Sequence, residues 1–263
     1  MFSTIVALFG VAAVAAAQSE ATIGLMAIDA DVTGNDATSL GPLDGCQSIE
    51  IGDTATVDVV VDAIPEDRPM VGFQVDVTYD PTILEAIDFD NAFLIASEDA
   101  YQPIEGLSDT LPDNDGRLLI VVADVASNVA EGQSIETGEG VVSRVTFRAI
   151  GSGTSSVSVG FDLPNFYPSI IDSQNEVIQV DNIGSVKIAA GEECDPDAEP
   201  ELTALPPLSD LQTTPAPTAI PAEPVEAESE LNVTFVVVAA VLGAAGIGAL
   251  GGGWLLLSRR TRS

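Results

Sequence analysis

The amino-acid sequence predicts an all-β sandwich, because short segments of alternating apolar and polar residues follow one another with turn residues between them. Between the two apolar ends of the chain, no segment has the period of an amphipathic helix. The clearest alternation covers residues 71–79, where Val71, Phe73, Val75, Val77 and Tyr79 share one face and Gly72, Gln74, Asp76 and Thr78 share the other. Pro81 ends this strand, since proline cannot donate to a sheet and moves Asp80 out of the helical region.

The same pattern predicts further strands on both sides of this segment. In chain order they cover residues 21–28, 54–62, 83–89, 118–122, 141–149, 154–161, 177–180 and 183–188. Residues 29–52 are rich in Gly, Asp, Ser and Thr, and residues 91–116 are irregular and acidic, so both stretches predict loops. Eight or nine short strands in about 170 residues are typical of a β-sandwich with a single core.

The two ends of the chain predict export and membrane anchoring. Residues 1–17 are apolar and end in three alanines, which is typical of a secretory signal peptide and its cleavage site. Residues 233–257 carry no charge and can cross a bilayer, and the basic residues of 258–263 favour a cytoplasmic tail. Residues 18–190 would form an extracellular domain and the acidic, Pro-rich residues 191–232 a linker. The expected location is the cell membrane, single-pass, with the N-terminal domain outside.

Charge and cysteine content limit the partner classes. A net charge of −33 would repel nucleic-acid phosphates, which excludes that class of partner. The simplest explanation of the acidity is a solvated exterior, and specific cation binding is the alternative. Cys46 and Cys194 are the only cysteines, and in an exported chain they predict one disulfide, with free or intermolecular thiols as the alternative.

No motif predicts an enzyme or a cofactor site. The sequence has no phosphate-binding loop, dinucleotide glycine pattern, nucleophile elbow or zinc spacing, and histidine is absent. Asp113, Asp115 and Gly116 are similar to part of a calcium loop. In that register the first and last ligand positions fall on Leu111 and Val122, so a turn is the better interpretation. We therefore expect no catalytic residue, no cofactor and no metal ion.

Three segments carry a resemblance to a known family. They are VGFQVDVTYDPTILEAIDF at 71–89, GRLLIVVAD at 116–124 and TGEGVVSRVTFRAIGSGTSSVSV at 137–159. Together they resemble the cohesin domain, in which an alternating strand ends in Tyr-Asp-Pro, a central apolar strand follows, and a Gly-Val strand closes on a glycine turn. The resemblance covers roughly residues 21–190 of the chain.

The resemblance implies a nine-stranded jelly-roll sandwich and a protein partner. Cohesins bind dockerin modules, which carry calcium themselves, and so assemble polysaccharide-degrading enzymes on scaffolds or cell surfaces. The resemblance also implies that the partner contacts one sheet face, which includes the outward positions of the strand before Tyr-Asp-Pro. In this sequence those positions are Gly72, Gln74, Asp76 and Thr78.

Two arginines join the candidate partner-binding residues because of their spacing. Arg144 and Arg148 would share one face of a strand and, as two of the few cations in the domain, would contact an acidic partner. The alternative is that each forms a cross-strand salt bridge within the domain.

Two other functions stay open at the level of sequence. A carbohydrate-binding module would share the fold, which makes polysaccharide the second partner class. The folded region has no Trp, and Tyr101, Phe166 and Tyr167 fall in predicted loops. This disfavours a flat aromatic platform, although not a small sugar pocket. A structural envelope protein that displays an inert acidic domain is the other alternative.

Overall fold

A computed structural model of the chain describes residues 22–97, 101–104, 106–125, 136–162, 166–195 and 197–207. These residues form twelve β-strands and one short 3₁₀ turn, Leu94–Ala96. The strands are β1 Thr22–Asp29, β2 Cys46–Ile49, β3 Thr54–Ile64, β4 Met70–Thr78, β5 Leu84–Asp90, β6 Pro103–Ile104, β7 Arg117–Asp124, β8 Gly138–Ala149, β9 Gly153–Val159, β10 Ser169–Asp172, β11 Val177–Ala190 and β12 Glu201–Ala204. The predicted all-β class is confirmed.

The strand count differs from the nine that were predicted. Two predicted strands, 177–180 and 183–188, join into the single 14-residue strand β11. Four strands were not predicted: β2, β6, β10 and β12, none longer than four residues. Segments this short give no measurable alternation, and β12 is exposed along its whole length, so it has no apolar face to detect.

Strand β11 connects the two halves of the sheet. The pairing order is β5-β8-β3-β1-β11-β10-β4-β7-β6, and β9 makes a second connection by pairing with both β11 and β4. The first half of β11 pairs in parallel with β1, while its last residues pair with β9 and β2. The sheet therefore folds over itself and encloses a single main core.

The core contains the alternating residues of both halves of the sheet. Phe73, Val75 and Val77 of β4 pack in the same cluster as Phe147 of β8, and the Tyr79 ring lies 5.1 Å from the Phe147 ring. The prediction fails at Val71, which is buried but outside this cluster. A β-bulge causes the difference, because β10 pairs with Gly72 and then with Met70 and skips the residue between them.

The Tyr-Asp-Pro corner is fixed by a buried polar contact. The Tyr79 hydroxyl donates to the carboxylate of Asp113, and both residues are buried. Asp80 accepts hydrogen bonds from Thr82 through its side chain and from Leu84 through its carbonyl, which turns the chain into β5. The stretch containing Asp113 thus anchors the corner, and Gly116 ends it with a φ of 96°, as a turn requires.

The predicted disulfide is confirmed, and it marks a longer domain than was expected. Cys46 is bonded to Cys194. Beyond it, Glu201–Ala204 pairs with β11 and the side chain of Leu205 is buried in the main core. The predicted boundary at residue 190 is therefore too early, because at least residues 201–205 of the expected linker belong to the folded domain.

The remaining predictions about the chain ends concern residues outside the described part of the chain. They are the signal peptide 1–17, the linker from 208 to 232, the membrane helix 233–257 and the basic tail 258–263. Within the part of the chain that the structure describes, no helix has the length and apolar character needed to span a membrane.

Removing the disulfide is expected to destabilise the domain. Replacing Cys46 and Cys194 by Ser opens a covalent loop with a sequence separation of 148. Loss of this loop should lower the free energy of unfolding by up to about 4–5 kcal/mol, because the unfolded chain regains conformational entropy. Urea unfolding of the full chain measures the change. Reducing agent should destabilise the natural chain and leave the double variant unaffected, and equal stability of the two would contradict the prediction.

Tyr79→Phe is expected to cost about 1–3 kcal/mol of stability, because it leaves the buried carboxylate of Asp113 without this donor. The matched control is Tyr167→Phe, whose hydroxyl donates to the Val180 carbonyl at 2.8 Å in a half-buried position. That change should cost about 0.5–1.5 kcal/mol, since only a neutral acceptor loses its partner. Thermal and urea unfolding compare the two, and a larger loss for Tyr167→Phe would count against this account of the corner.

Candidate functional site

The face of β4 that points away from the core is less open than the sequence predicts. Gln74 and Thr78 are half-buried, whereas Gly72 and Asp76 are buried. Gly72 is covered by its neighbouring strand: a Cβ atom added there would lie 2.8 Å from the carbonyl oxygen of Val122. Asp76 is 1% exposed. The expectation that all four positions are outward and accessible is therefore wrong for Gly72 and Asp76.

Apolar side chains lie beside these positions on the same outer surface. Leu119, Val121 and Ala123 of β7 are half-buried and lie opposite Asp76, Gln74 and Gly72. They take no part in the main core, which receives the alternate residues of β7 instead. Ile171 of β10 continues the row on one side of Gly72, and Ile104 of β6, 42% exposed, continues it beyond Ala123. We call this surface, formed by the outward residues of β10, β4, β7 and β6, the outer face.

The free edge of β7 is closed by side chains from a loop. Ser108 Oγ accepts a hydrogen bond from the Val121 amide and donates to the Val121 carbonyl. Asp109 pairs with Leu119 through its backbone amide and its carboxylate. These contacts satisfy groups that an edge strand would leave open, and they fix the loop against β7. No sequence pattern predicts this role, because Ser108 and Asp109 lie in a predicted loop without alternating apolar and polar residues.

Asp76 belongs to an ion pair at one end of the outer face. Its carboxylate contacts the guanidinium of Arg117, which in turn lies 5.5 Å from the centre of the Phe166 ring. Burial raises the pKa of Asp76, although Arg117 opposes that shift. The second oxygen of Asp76 is buried without a hydrogen-bond partner. Asp76 therefore holds Arg117 in position beside the Phe166 ring.

Arg144 and Arg148 lie on the other half of the sheet. They belong to β8, and four strands separate β8 from β4 along the sheet. Arg144 makes two hydrogen bonds to the fully buried Asp58, at 2.7 and 2.9 Å, and Arg148 contacts Glu85. Asp58 and Glu85 are the cross-strand neighbours of these arginines. The cross-strand salt bridge, which was the alternative interpretation, is what the structure shows.

The outer surface of β1, β3 and β8 is covered by the chain itself. Ala27, Val60 and Val141 form a second apolar cluster there, against which Leu40 and Leu43 from the loop between β1 and β2 pack. This loop is fixed by buried acids: Asn35 Nδ2 donates to both Asp29 and Asp58, at 2.8 and 3.2 Å. Burial raises the pKa of Asp29. Within the described residues, this surface is therefore covered around Ala27, Val60 and Val141, and no such cluster covers the outer face.

The charged groups form no metal centre within the described residues, where no three His, Cys, Asp or Glu side chains are grouped to hold an ion. Each basic residue of the described part of the chain is instead in an ion pair with an acid. The five are Arg68, Arg117, Arg144, Arg148 and Lys187. The domain thus presents no unpaired cation among the described residues, and its exposed charge is negative.

Comparison with known proteins decides the family. The model of the cohesin domain matches residues 42–188, more than half of the 263 residues. The chain belongs to the cohesin family. The cohesin match includes β4, β7 and the outer face between them.

One curated relative matches this cohesin in sequence. It is cell surface glycoprotein 1 of Acetivibrio thermocellus, 28% identical over 121 residues. The match covers 41% of this chain but only 5% of that much longer protein.

Solved cohesin structures are similar at lower identity. A cohesin module from a Clostridium perfringens family 33 glycoside hydrolase is 12% identical, with a TM-score of 0.44, over 65% of this chain and 99% of that one. A type I cohesin–dockerin complex from Clostridium thermocellum is 15% identical, with a TM-score of 0.44, over 66% and 99%. A non-cellulosomal cohesin from the archaeon Archaeoglobus fulgidus is 12% identical, with a TM-score of 0.41, over 65% and 93%.

Arg117→Met is expected to destabilise the domain by about 2–3 kcal/mol at neutral pH, less than a fully buried pair would cost, because Arg117 is itself 46% exposed. The change leaves Asp76 buried and ionised without its partner. Without Arg117, the pKa of Asp76 in the folded state rises further. The loss of stability caused by Arg117→Met should therefore shrink as the pH falls through that pKa towards the ordinary value of 3.8, because the protonated acid needs no partner.

The matched control is Asp76→Asn, which removes the buried charge and leaves a half-exposed guanidinium that water can solvate. It should cost less than Arg117→Met at pH 7 and show a flatter dependence on pH. Urea unfolding between roughly pH 3.5 and pH 7 gives the free energy of unfolding of both variants over the range where protonation of Asp76 changes stability. Equal penalties with equal pH dependence would refute the burial argument.

Proposed function

We propose that this cohesin is a non-catalytic docking module whose outer face binds a dockerin-type protein. The observation that carries the proposal is an apolar row across four strands, Ile171, Gly72, Ala123 and Ile104, on which no apolar cluster of the described residues packs. The comparable surface of the other half of the sheet is covered by Leu40 and Leu43. A sheet surface left open in this way, in a family of binding modules, is the best candidate for the partner's contact.

The chemistry of the outer face suits a protein interface. Leu119 and Val121 offer apolar area at its centre, and Gln74 offers an amide that can both donate and accept. Polar groups surround this centre, as in interfaces with an apolar core and a polar rim. Backbone pairing and the contacts of Ser108 hold the strands in place, so little conformational entropy is lost when a partner binds.

Of the predicted partner-binding residues, Gln74 and Thr78 would contact the partner directly. Gly72 contributes by its missing side chain, which lets the neighbouring strand approach, and Asp76 by holding Arg117. We place Arg144 and Arg148 outside the contact, because each already has an acidic partner on the far side of the sheet.

Charge favours a partner with a basic contact surface. The chain carries a net charge of −33, and each cation in the described part is already paired. Complementary charge speeds association and excludes partners of like sign. The dockerin-type partner would carry its own calcium ions, and none is required on this side. An acidic partner surface, expected from Arg144 and Arg148 at the level of sequence, is not retained.

The location and pathway belong to the same proposal. We propose a cell-surface protein with a signal peptide at 1–17, a linker that ends at 232 and a single membrane helix at 233–257. The curated relative, cell surface glycoprotein 1, supports the surface location. The bound protein would take part in polysaccharide degradation, and this chain would hold it at the surface without catalysing a reaction itself.

A single charge on the outer face is expected to abolish docking. In Val121→Asp, burial of an unpaired carboxylate against the partner should weaken binding by at least about a hundredfold. Surface plasmon resonance measures the dissociation constant, with the full chain immobilised and a calcium-loaded dockerin-bearing protein from the same organism in solution. Two controls should bind normally: Ile150→Asp, an exposed apolar residue elsewhere at 47% exposure, and Arg148→Glu.

The same experiment can reject the proposal. Chelation of calcium should release the partner, since the ion stabilises the dockerin-type fold. If no dockerin-bearing protein of the organism binds in calcium, the docking function is wrong. If one binds but Val121→Asp leaves its affinity unchanged, the function stands and the outer face is not the site.

A further inference from the structure

A cleft opens where two strands part from the middle of β11. β9 pairs with the end of β11, at Val186 and beyond, and then moves to β4, where Val159 lies opposite Val77. β12 takes over on β11 from Ser185 back to Asn182. The cleft between β9 and β12 has a volume of about 360 Å³, and Ile183–Ser185 forms its floor. This volume falls within the range of small-molecule sites.

The walls of the cleft are rich in hydroxyl groups. Eight side chains line it: Thr78, Ser158, Val159, Phe161, Ile183, Ser185, Glu201 and Thr203. Four of them are hydroxyls, which can each donate and accept a hydrogen bond. The Phe161 ring is held by an edge contact with Tyr167, with ring centres 5.9 Å apart, and supplies an apolar surface at one side.

The charges in the cleft cancel. Glu201 is its only charged lining residue, and its carboxylate is bonded at 2.7 Å to Nζ of Lys187. An anionic ligand would meet Glu201 and an acidic protein, and a cationic ligand would have to compete with Lys187 for the carboxylate. A single carboxylate is also too few ligands for a metal ion. The chemistry that remains is a neutral ligand with many hydroxyl groups and an apolar face.

We propose that this cleft binds a neutral sugar residue, such as the end of a polysaccharide chain. Its hydroxyls would exchange hydrogen bonds with Thr203 and Ser185, a ligand hydroxyl would donate to Glu201, and the carbon–hydrogen face of the ring would pack on Phe161. The cleft shares no residue with the apolar row of the outer face, and Thr78 is the one outer-face residue that also lines the cleft. The proposal does not depend on the docking function.

The test titrates the full chain with glucose, xylose, galactose, cellobiose and xylobiose, up to roughly 10 mM, a concentration that detects even millimolar affinity. Saturation-transfer NMR and calorimetry detect binding. Thr203→Trp, on an exposed strand, should fill the cleft and abolish binding. Thr203→Val should weaken it about five- to tenfold through loss of one hydrogen bond. Thr54→Val, an exposed Thr-to-Val change on β3, is the matched control and should bind normally.

Three results would overturn the proposal. The first is that no sugar of the panel binds. The second is that binding survives Thr203→Trp unchanged, which places the sugar elsewhere. The third is that glucosamine or glucuronate binds at least about tenfold tighter than glucose, which would mean that the charges in the cleft do not cancel. Urea unfolding of Thr203→Trp, measured in parallel with the natural chain, reports whether the variant is folded.

Discussion

Strand β11 is the constraint on which the rest of the structure depends. One 14-residue strand pairs in succession with β10, β1, β12, β9 and β2, so it belongs to both halves of the sheet. Every other strand pairs with it directly or through a chain of neighbours. The position of the outer face follows from this, because β10 and β9 lead from β11 to β4. The cleft also follows, since it lies where β9 leaves β11 and β12 replaces it.

Burial and charge divide the acids of this chain into two groups. Asp29, Asp58, Asp76 and Asp172 are among the buried acids, and all four have partners within the domain, as in the pairs Asp58–Arg144 and Asp172–Arg68. The other acids are mostly exposed and give the molecule its negative surface. Three of the five cations in the described residues, Arg68, Arg117 and Arg144, pair with buried acids, where an unpaired carboxylate is most costly, whereas Lys187 pairs with Glu201 at the surface. A domain built in this way repels other acidic molecules, itself included.

The sequence predicted the fold class, the family and the disulfide, because these depend on strong local signals: the alternation ending at Tyr79-Asp80-Pro81 and two cysteines in a predicted exported chain. It failed where the outcome depends on contacts between distant residues. The burial of Asp76 requires Arg117 and the segment near Phe166, and no local pattern reports them. β12 was assigned to a linker because the stretch around it is acidic and rich in proline, and only pairing with β11 makes it a strand. Arg144 and Arg148 were correctly placed on one strand face, but their acidic neighbours belong to other strands.

The disulfide between Cys46 and Cys194 also governs how the domain resists being pulled. If the chain is held beyond residue 207, tension first reaches β12, which runs antiparallel to β11 and can peel away one residue at a time. The peeling stops at Cys194, because the covalent bond passes the force to Cys46 and to β2 alongside β11. Only the short stretch after Cys194 can extend before the load reaches this bond, while β4, β7 and the whole outer face lie inside the closed loop. Tension from this end of the chain therefore reaches the outer face only after β12 has been released.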